Sequence, residues 1–155
     1  MILSRLDYCN ALLCGVSEGC LSKLQRVQNN AARLVLKKKK SDSPTPLLKA
    51  LHWLPVRERI IYKTCSLVYK CISNTAPSYL ADLLSCQRPA RELRSSRDST
   101  ILNVPRTRLK TYGDRSFQGL GPRHWNNLPS EIRCSTSIDI FKSRLKTHLF
   151  SSHFN

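Results

Sequence analysis

Apolar residues recur at helical spacing in three separated stretches, and this periodicity constrains most of the chain to helix. Between about 19 and 38, Leu21, Leu24, Val27, Ala31, Leu34 and Val35 fall on one stripe, with Lys23, Arg26, Gln28, Asn29 and Arg33 on the other side. From Pro55, at a first helical turn, to about Ser73, the buried face is read as Val56, Ile60, Ile61, Thr64, Leu67, Val68, Cys71 and Ile72. Near the end, Ser135-Thr136-Ser137 precedes a helix over 138–150 whose Ile138, Phe141, Leu145 and Leu149 share one face. Shorter helices are expected over 2–13, ended by Gly15, over PLLKALHW before Pro55, and from Pro77 through Tyr79, Leu80, Leu83 and Leu84. Ser41 to Pro46 reads as a linker. The fold class is therefore mostly α, in helical bundle-like pieces.

One stretch breaks the helical pattern. Thr100 to Val104 has the composition of a strand, and after Pro105 the charged Arg106, Arg108 and Lys110 alternate with Thr107, Leu109 and Thr111. This predicts a small basic β element over about 100–112, with the first strand paired to the arm after Pro105. Gly113-Asp114 ends the alternation, with Asp114 as the expected cap of a short helix through Phe117 and Leu120 that Gly121-Pro122 stops. Tyr112, Phe117 and Trp125 are expected as a cluster of apolar anchors, and Trp53 plays that part earlier in the chain.

Charge narrows the function. Across 155 residues there are 26 Lys+Arg against 10 Asp+Glu, a formal net charge of +16. A chain this basic repels itself until it meets a polyanion, so nucleic acid is the leading partner. The basic residues are unevenly spread. Residues 88–115 carry eight cations against three acids, and Lys37-Lys38-Lys39-Lys40 form a run at a helix end. Arginines alternating along a strand stand about 6.6 Å apart, close to the phosphate spacing of an extended single strand. Arg106, Arg108, Lys110 and Arg115, with Lys37, Lys38, Lys39 and Lys40, are therefore the candidate phosphate contacts for RNA, DNA or an RNA–DNA hybrid.

Other chemistries lack their residues. No glycine-rich phosphate loop and no Gly-x-Ser-x-Gly context is present, and the acids are too scattered for two-metal phosphoryl transfer. His52 beside Trp53 and His124 beside Trp125 have no acidic or nucleophilic partner in sequence, so both read as structural. Trp53 and Trp125 read as core plugs ahead of base-stacking platforms. Seven cysteines with no Cys-x-x-Cys pair and no secretory signal read as reduced, mostly core thiols in the cytoplasm or nucleus. No catalytic residue, metal, cofactor, membrane span or small-molecule substrate is expected.

Seven blocks, in order, carry a resemblance: SRLDYCNALL (4–13), LQRVQNNAARLV (24–35), LHWLPVRERI (51–60), APSYLADLL (76–84), VPRTRLKTYGDRSF (104–117), HWNNLPSEIR (124–133) and FKSRLKTHLF (141–150). Together they resemble the C-terminal end of the reverse-transcriptase polyprotein of jockey-like and chicken-repeat-like LINE retrotransposons. The resemblance implies that residues 1–40 correspond to the thumb-like helical end of the polymerase. Residues 41–86 would be a helical linker region, and 87–155 a tail made of the basic β arm and C-terminal helices. It further implies that the metal-binding aspartates of the palm and the endonuclease precede the first block, so no catalytic position of the family maps onto this sequence. Asn74-Thr75 departs from the family pattern, which has a glycine before Ala-Pro. The Lys37–Lys40 run and Cys20 also look particular to this chain, and the zinc knuckle that ends some LINE polyproteins is absent. The leading expectation is a non-catalytic nucleic-acid-binding region, translated from a truncated copy. The alternative is an inert relic binding only through bulk charge, and a free-standing enzyme ranks last.

Overall fold

The computed structural model describes residues 2–86, 101–108 and 112–154. The described helices are α1 (Ile2–Asp7), α2 (Glu18–Val35), α3 (Pro44–Ala50), α4 (Val56–Ile72), α5 (Ser78–Ala81), α6 (Phe117–Asn126), α7 (Ser130–Arg133) and α8 (Ile138–Phe154), with a 3-10 turn at Asn10–Leu13. Among the described residues the protein is mostly helical with almost no strand. It forms two compact units, one of Met1–Tyr62 with Lys146–Asn155 and the other of Lys63–Leu145.

In the first unit, α2 does not bury the stripe that its hydrophobicity suggests. Gln28, expected among the outward polar residues, is fully buried beside Ala31 and Ala32, while Val27 and Leu34 are 49% and 75% exposed and Val35 is also exposed. The reason lies in the turn before α4. Leu54-Pro55-Val56 leaves a carbonyl and an N–H without helical partners, and a buried backbone group must find one. Gln28 Nε2 donates to the Leu54 carbonyl (2.8 Å), and Gln25 Oε1 accepts from the Val56 N–H (2.9 Å). Gln25 Nε2 ties the pair together by donating to Gln28 Oε1 (3.0 Å) and Asn29 Oδ1 (2.8 Å). This amide network turns α2 so that Ala32 meets Leu47 and Leu48, with Leu36, Leu51, Trp53 and Phe154 packed around them.

Three helices end in the same way, each with a non-glycine residue in the left-handed region. Lys37 follows α2 at φ 51°, His52 follows α3 at φ 51°, and Asn74 follows α4 at φ 52°. Behind each, a six-residue reverse bond closes the end: Lys38 N–H to the Arg33 carbonyl, Trp53 N–H to Leu48, and Thr75 N–H to Lys70, all 2.9–3.0 Å. Asn74, with no glycine at that position, is thus a fully formed C-cap. The N-terminal helix is shorter than expected because Cys9, at φ 51°, breaks it into α1 and the 3-10 turn. Asp7 at its end pairs with Arg59 of α4, Arg59 Nε donating to Oδ1 at 2.8 Å and Nη2 reaching Oδ2.

The second unit is built on aromatic packing. Tyr69 stacks on Phe141 with centroids 4.6 Å apart, and Trp125 leans on the same ring at 5.6 Å. Trp125 is 1% exposed and Phe141 and Leu145 are fully buried. The Tyr69 hydroxyl donates to the Ser135 carbonyl (2.9 Å), which satisfies the polar tip of a buried ring. Helix α6 runs straight through Gly121-Pro122, where the sequence suggests a stop. Ser116, and not Asp114, caps it, accepting from the Gly119 N–H (3.2 Å). Gly121 then sits against Val68, where an added Cβ would come within 3.1 Å of its methyl.

The β element is smaller than expected. Among the described residues it is one antiparallel bridge between Leu102 and Cys86, with the Asn103 N–H on the Ser85 carbonyl (2.8 Å), and residues 103–107 form no strand. The Asn126 side chain occupies Leu102 on the other side, its Oδ1 accepting from the Leu102 N–H (3.0 Å) and its Nδ2 donating to the Leu102 carbonyl (2.9 Å). A strand after Pro105 has no backbone group left to pair with at that position.

Two stability predictions follow from these features. Gln28→Leu keeps the volume but strands the Leu54 carbonyl and one Gln25 donor, and should lower unfolding free energy by about 1–3 kcal/mol in urea denaturation. An unchanged midpoint would show that the amide network contributes nothing. Lys37→Gly removes the left-handed strain of a side-chain-bearing residue and should raise stability by about 0.5–1 kcal/mol after the entropy of glycine is counted. A lower melting temperature by calorimetry would contradict that strain.

Candidate nucleic-acid interface

The exposed cations among the expected phosphate contacts fall into two groups, one in each unit. In the first unit Lys37, Lys38, Lys39 and Lys40 are all exposed. They do not continue α2, because the left-handed Lys37 turns the chain. Asp42 closes the turn, its Oδ2 accepting from the Lys39 N–H (2.9 Å) and its carbonyl accepting from the Arg33 guanidinium at 3.0 and 3.2 Å. The four ammonium groups therefore stand on a held turn of the chain.

In the second unit Arg106, Arg108 and Arg115 are exposed, whereas Lys110 lies outside the described residues. The segment that carries them is anchored at both ends. At one end the Leu102 side chain is fully buried and its backbone is clamped by Asn126. At the other, Asp114 Oδ1 accepts from the Thr107 hydroxyl (2.6 Å) and from Arg123 Nη2 (2.9 Å), which joins the arm to α6. Ser116 adds a bond from its hydroxyl to the Gly113 carbonyl (2.7 Å). Gly119 makes this close approach possible, since a Cβ there would lie 2.8 Å from the Gly113 carbonyl oxygen. Asp114, Thr107, Arg123 and Asn126 are the residues that sequence reasoning missed. Only the uneven charge hinted at them: Asp114 is the lone acid within 104–128, so a partner for it was to be expected.

The four expected anchors divide. Trp125 is in the core, Trp53 packs at the edge of the Leu47–Leu48 cluster, and Phe117 is partly buried against Gly121. Tyr112 is not an anchor: it is 79% exposed. The turn at 112–115 is held through backbone and polar contacts, so no apolar pocket receives its ring. The exposed His52 lies against Phe150, with ring centroids 5.5 Å apart and the planes tilted by 33°.

Other surfaces of the molecule offer different chemistry. A cavity of about 270 Å³ in the first unit is lined by Gln25, Asn29, Thr45, Glu18, Glu58 and His153 among others. Of its carboxylates, Glu18 pairs with Arg57 and Glu58 Oε1 with His153 Nδ1 at 3.1 Å, Glu58 Oε2 is buried without a hydrogen-bond partner, and both acids repel phosphate. Among the described residues no group of three or more His, Cys, Asp or Glu is placed to hold a metal ion, and no helix is long and apolar enough to cross a membrane. None of the seven thiols is in a disulfide, but they are not mostly in the core: Cys14, Cys65 and Cys71 are buried, and Cys9, Cys20, Cys86 and Cys134 are exposed. Comparison of the chain with protein-family models, curated proteins and solved structures finds no match.

The cysteine positions yield a direct check. Burial pushes the Cys71 thiol above its ordinary value, which keeps the reactive thiolate scarce. An aromatic disulfide reagent should titrate four thiols in the native protein, with Cys14, Cys65 and Cys71 reacting only after denaturation. Rapid titration of all seven without denaturant would contradict this packing.

Proposed function

We infer that the protein acts as a non-catalytic nucleic-acid-binding region, corresponding to the C-terminal thumb-like end and tail of a LINE-type reverse transcriptase. The observation that carries this reading is the anchored arginine segment. Arg106, Arg108 and Arg115 are exposed on a stretch held by Leu102–Asn126 and by Thr107–Asp114–Arg123. Ordering a loop costs about 1–2 kcal/mol per residue, so an anchored set of arginines meets a phosphate backbone with much of that cost already met. The seven sequence blocks supply the family, and the +16 charge supplies the polyanionic partner. On this reading the chain performs no reaction. It holds RNA, DNA or their hybrid through phosphates, in the nucleus or cytoplasm, where such a partner is found.

A second reading is favoured by a separate observation, the exposed apolar side chains of the first unit. Tyr8, Leu12, Val27, Leu34 and Val35 stand in solvent. A relic of a retroelement, no longer selected to cover such surface, would self-associate and bind only through bulk charge.

Fluorescence anisotropy with labelled single-stranded RNA, duplex DNA and an RNA–DNA hybrid separates the two, across roughly 50–300 mM salt. On the first reading one substrate wins by about tenfold or more, about 1.4 kcal/mol, and binding persists at physiological salt. Changing Arg106, Arg108 and Arg115 together to Ala should then lower the slope of log affinity against log salt by about two to three phosphates' worth. Equal binding of all three substrates that fades together with salt, and an unchanged slope in the triple mutant, would establish the relic reading instead.

A further inference from the structure

We propose that Tyr112 is a base-stacking residue, and that the arginine segment around it is therefore a site for single-stranded nucleic acid, with unpaired bases as the ligand chemistry. This rests on the nucleic-acid reading above and adds to it the class of strand that the site takes. Exposure of a single ring would mean little by itself, since scattered apolar groups are normal on a protein surface. Three observations set Tyr112 apart.

The first is its company. Thr107 and Asp114 are joined by a 2.6 Å hydrogen bond. Arg106 and Arg108 are the neighbours of Thr107, Arg115 follows Asp114, and Tyr112 precedes it by two residues. With about 3.8 Å between successive Cα atoms, all four are gathered around that one bond. The three arginines and Tyr112 are all exposed.

The second is its support. Asp114 is fixed by Arg123 of α6, and the Gly113 carbonyl accepts the Ser116 hydroxyl. The backbone beside Tyr112 is thus tied to the N-terminus of α6, while its ring, 79% exposed, is given no place in the core. A ring carried on a held backbone leaves less chain freedom to be lost when a base lies on it.

The third is contrast with the other exposed tyrosines. Tyr79 is 67% exposed but has no Lys or Arg within four residues in either direction, and its nearest charge is Asp82. Tyr8 is 81% exposed and has one exposed cation, Arg5, within four residues, beside Asp7. Tyr112 is the exposed tyrosine of the described residues whose segment carries three exposed arginines, Arg106, Arg108 and Arg115. A phosphate-tracking set of cations with an aromatic platform is the combination by which proteins hold single strands, where each base presents a π-face. A duplex keeps its bases stacked on one another and gives the ring nothing to cover. The two tryptophans do not compete for this role, since Trp125 is in the core and Trp53 is packed in the first unit.

The test is anisotropy binding of the full chain, as wild type, Tyr112→Ala and Tyr112→Phe. The probes are a labelled single-stranded RNA of roughly 12 nucleotides, DNA of the same sequence, the matching duplex, and an abasic strand of equal phosphate count. Wild type should favour a base-bearing single strand over the abasic one by about tenfold, on RNA, DNA or both. Tyr112→Ala should lose about that factor on the preferred strand, with no change on the abasic strand or the duplex and no change in salt slope. Tyr112→Phe should retain wild-type affinity. An unaltered Tyr112→Ala, or one that loses equally on abasic and duplex probes, overturns the stacking role while leaving phosphate binding in place. Wild-type protein that binds none of the four probes overturns the nucleic-acid reading itself, and this proposal with it.

Discussion

A backbone N–H or carbonyl shut away from water must be given a partner, and a proline nearby removes one of the usual ones. Both units of this protein meet that demand with side-chain amides. Around Leu54-Pro55-Val56 the partners are Gln28 and Gln25 of α2; beside Leu102, three residues before Pro105, the partner is Asn126 of α6. In each case an amide, which offers one acceptor and two donors, acts as a short piece of neighbouring strand. The consequences reach past the local bonds. The Gln28 contact decides which side of α2 faces the Leu47–Leu48 cluster, and the Asn126 contact decides where the arginine segment leaves the core.

This is also why helices were legible in the sequence and their facing was not. The period of 3.6 places the core face of α8 correctly, because Phe141, Leu145 and Leu149 recur at helical spacing and all three are buried. The same rule misplaces α2, where the strongest apolar stripe includes Val27 and Leu34 but the contact that fixes the helix is made by a glutamine. Hydrophobic periodicity weighs transfer free energy and gives Gln28 no credit for a bond to a carbonyl 26 residues away. Helix ends were misread for a related reason. Gly121-Pro122 looks like a stop, yet with Ser116 capping α6 and Gly121 close to Val68 the packing outweighs one missing backbone bond.

The candidate site was half legible. Its cations stand out in composition, and Arg106, Arg108 and Arg115 are exposed. What sequence could not provide was the scaffold, because Thr107, Asp114 and Arg123 meet only once α6 is formed and Gly119 lets the turn lie against it. Nor could it separate the rings. Tyr112, Phe117 and Trp125 look alike as large apolar residues spaced along one segment. In the folded chain α6 carries Phe117 and Trp125 inward, and Tyr112, five residues before the helix, is left outside.

The exposed apolar groups of the two units therefore have different physical meanings. On α2, Val27 and Leu34 are one heptad apart on a helix that carries Lys23, Arg26 and Arg33 and is followed by Lys37 to Lys40, with no acid between residues 19 and 41. Two such faces brought together would set cations against cations, so bulk charge opposes self-association through α2 at low salt, and screening permits it as salt rises. Binding of a polyanion has the opposite dependence, weakening as salt rises. Self-association through α2 and the proposed strand binding through the arginine segment would thus respond to ionic strength with opposite sign. On the proposed reading Tyr112 belongs to the second process: its exposed ring lies among cations that a phosphate backbone would neutralise, and there apolar surface and charge would favour the same ligand.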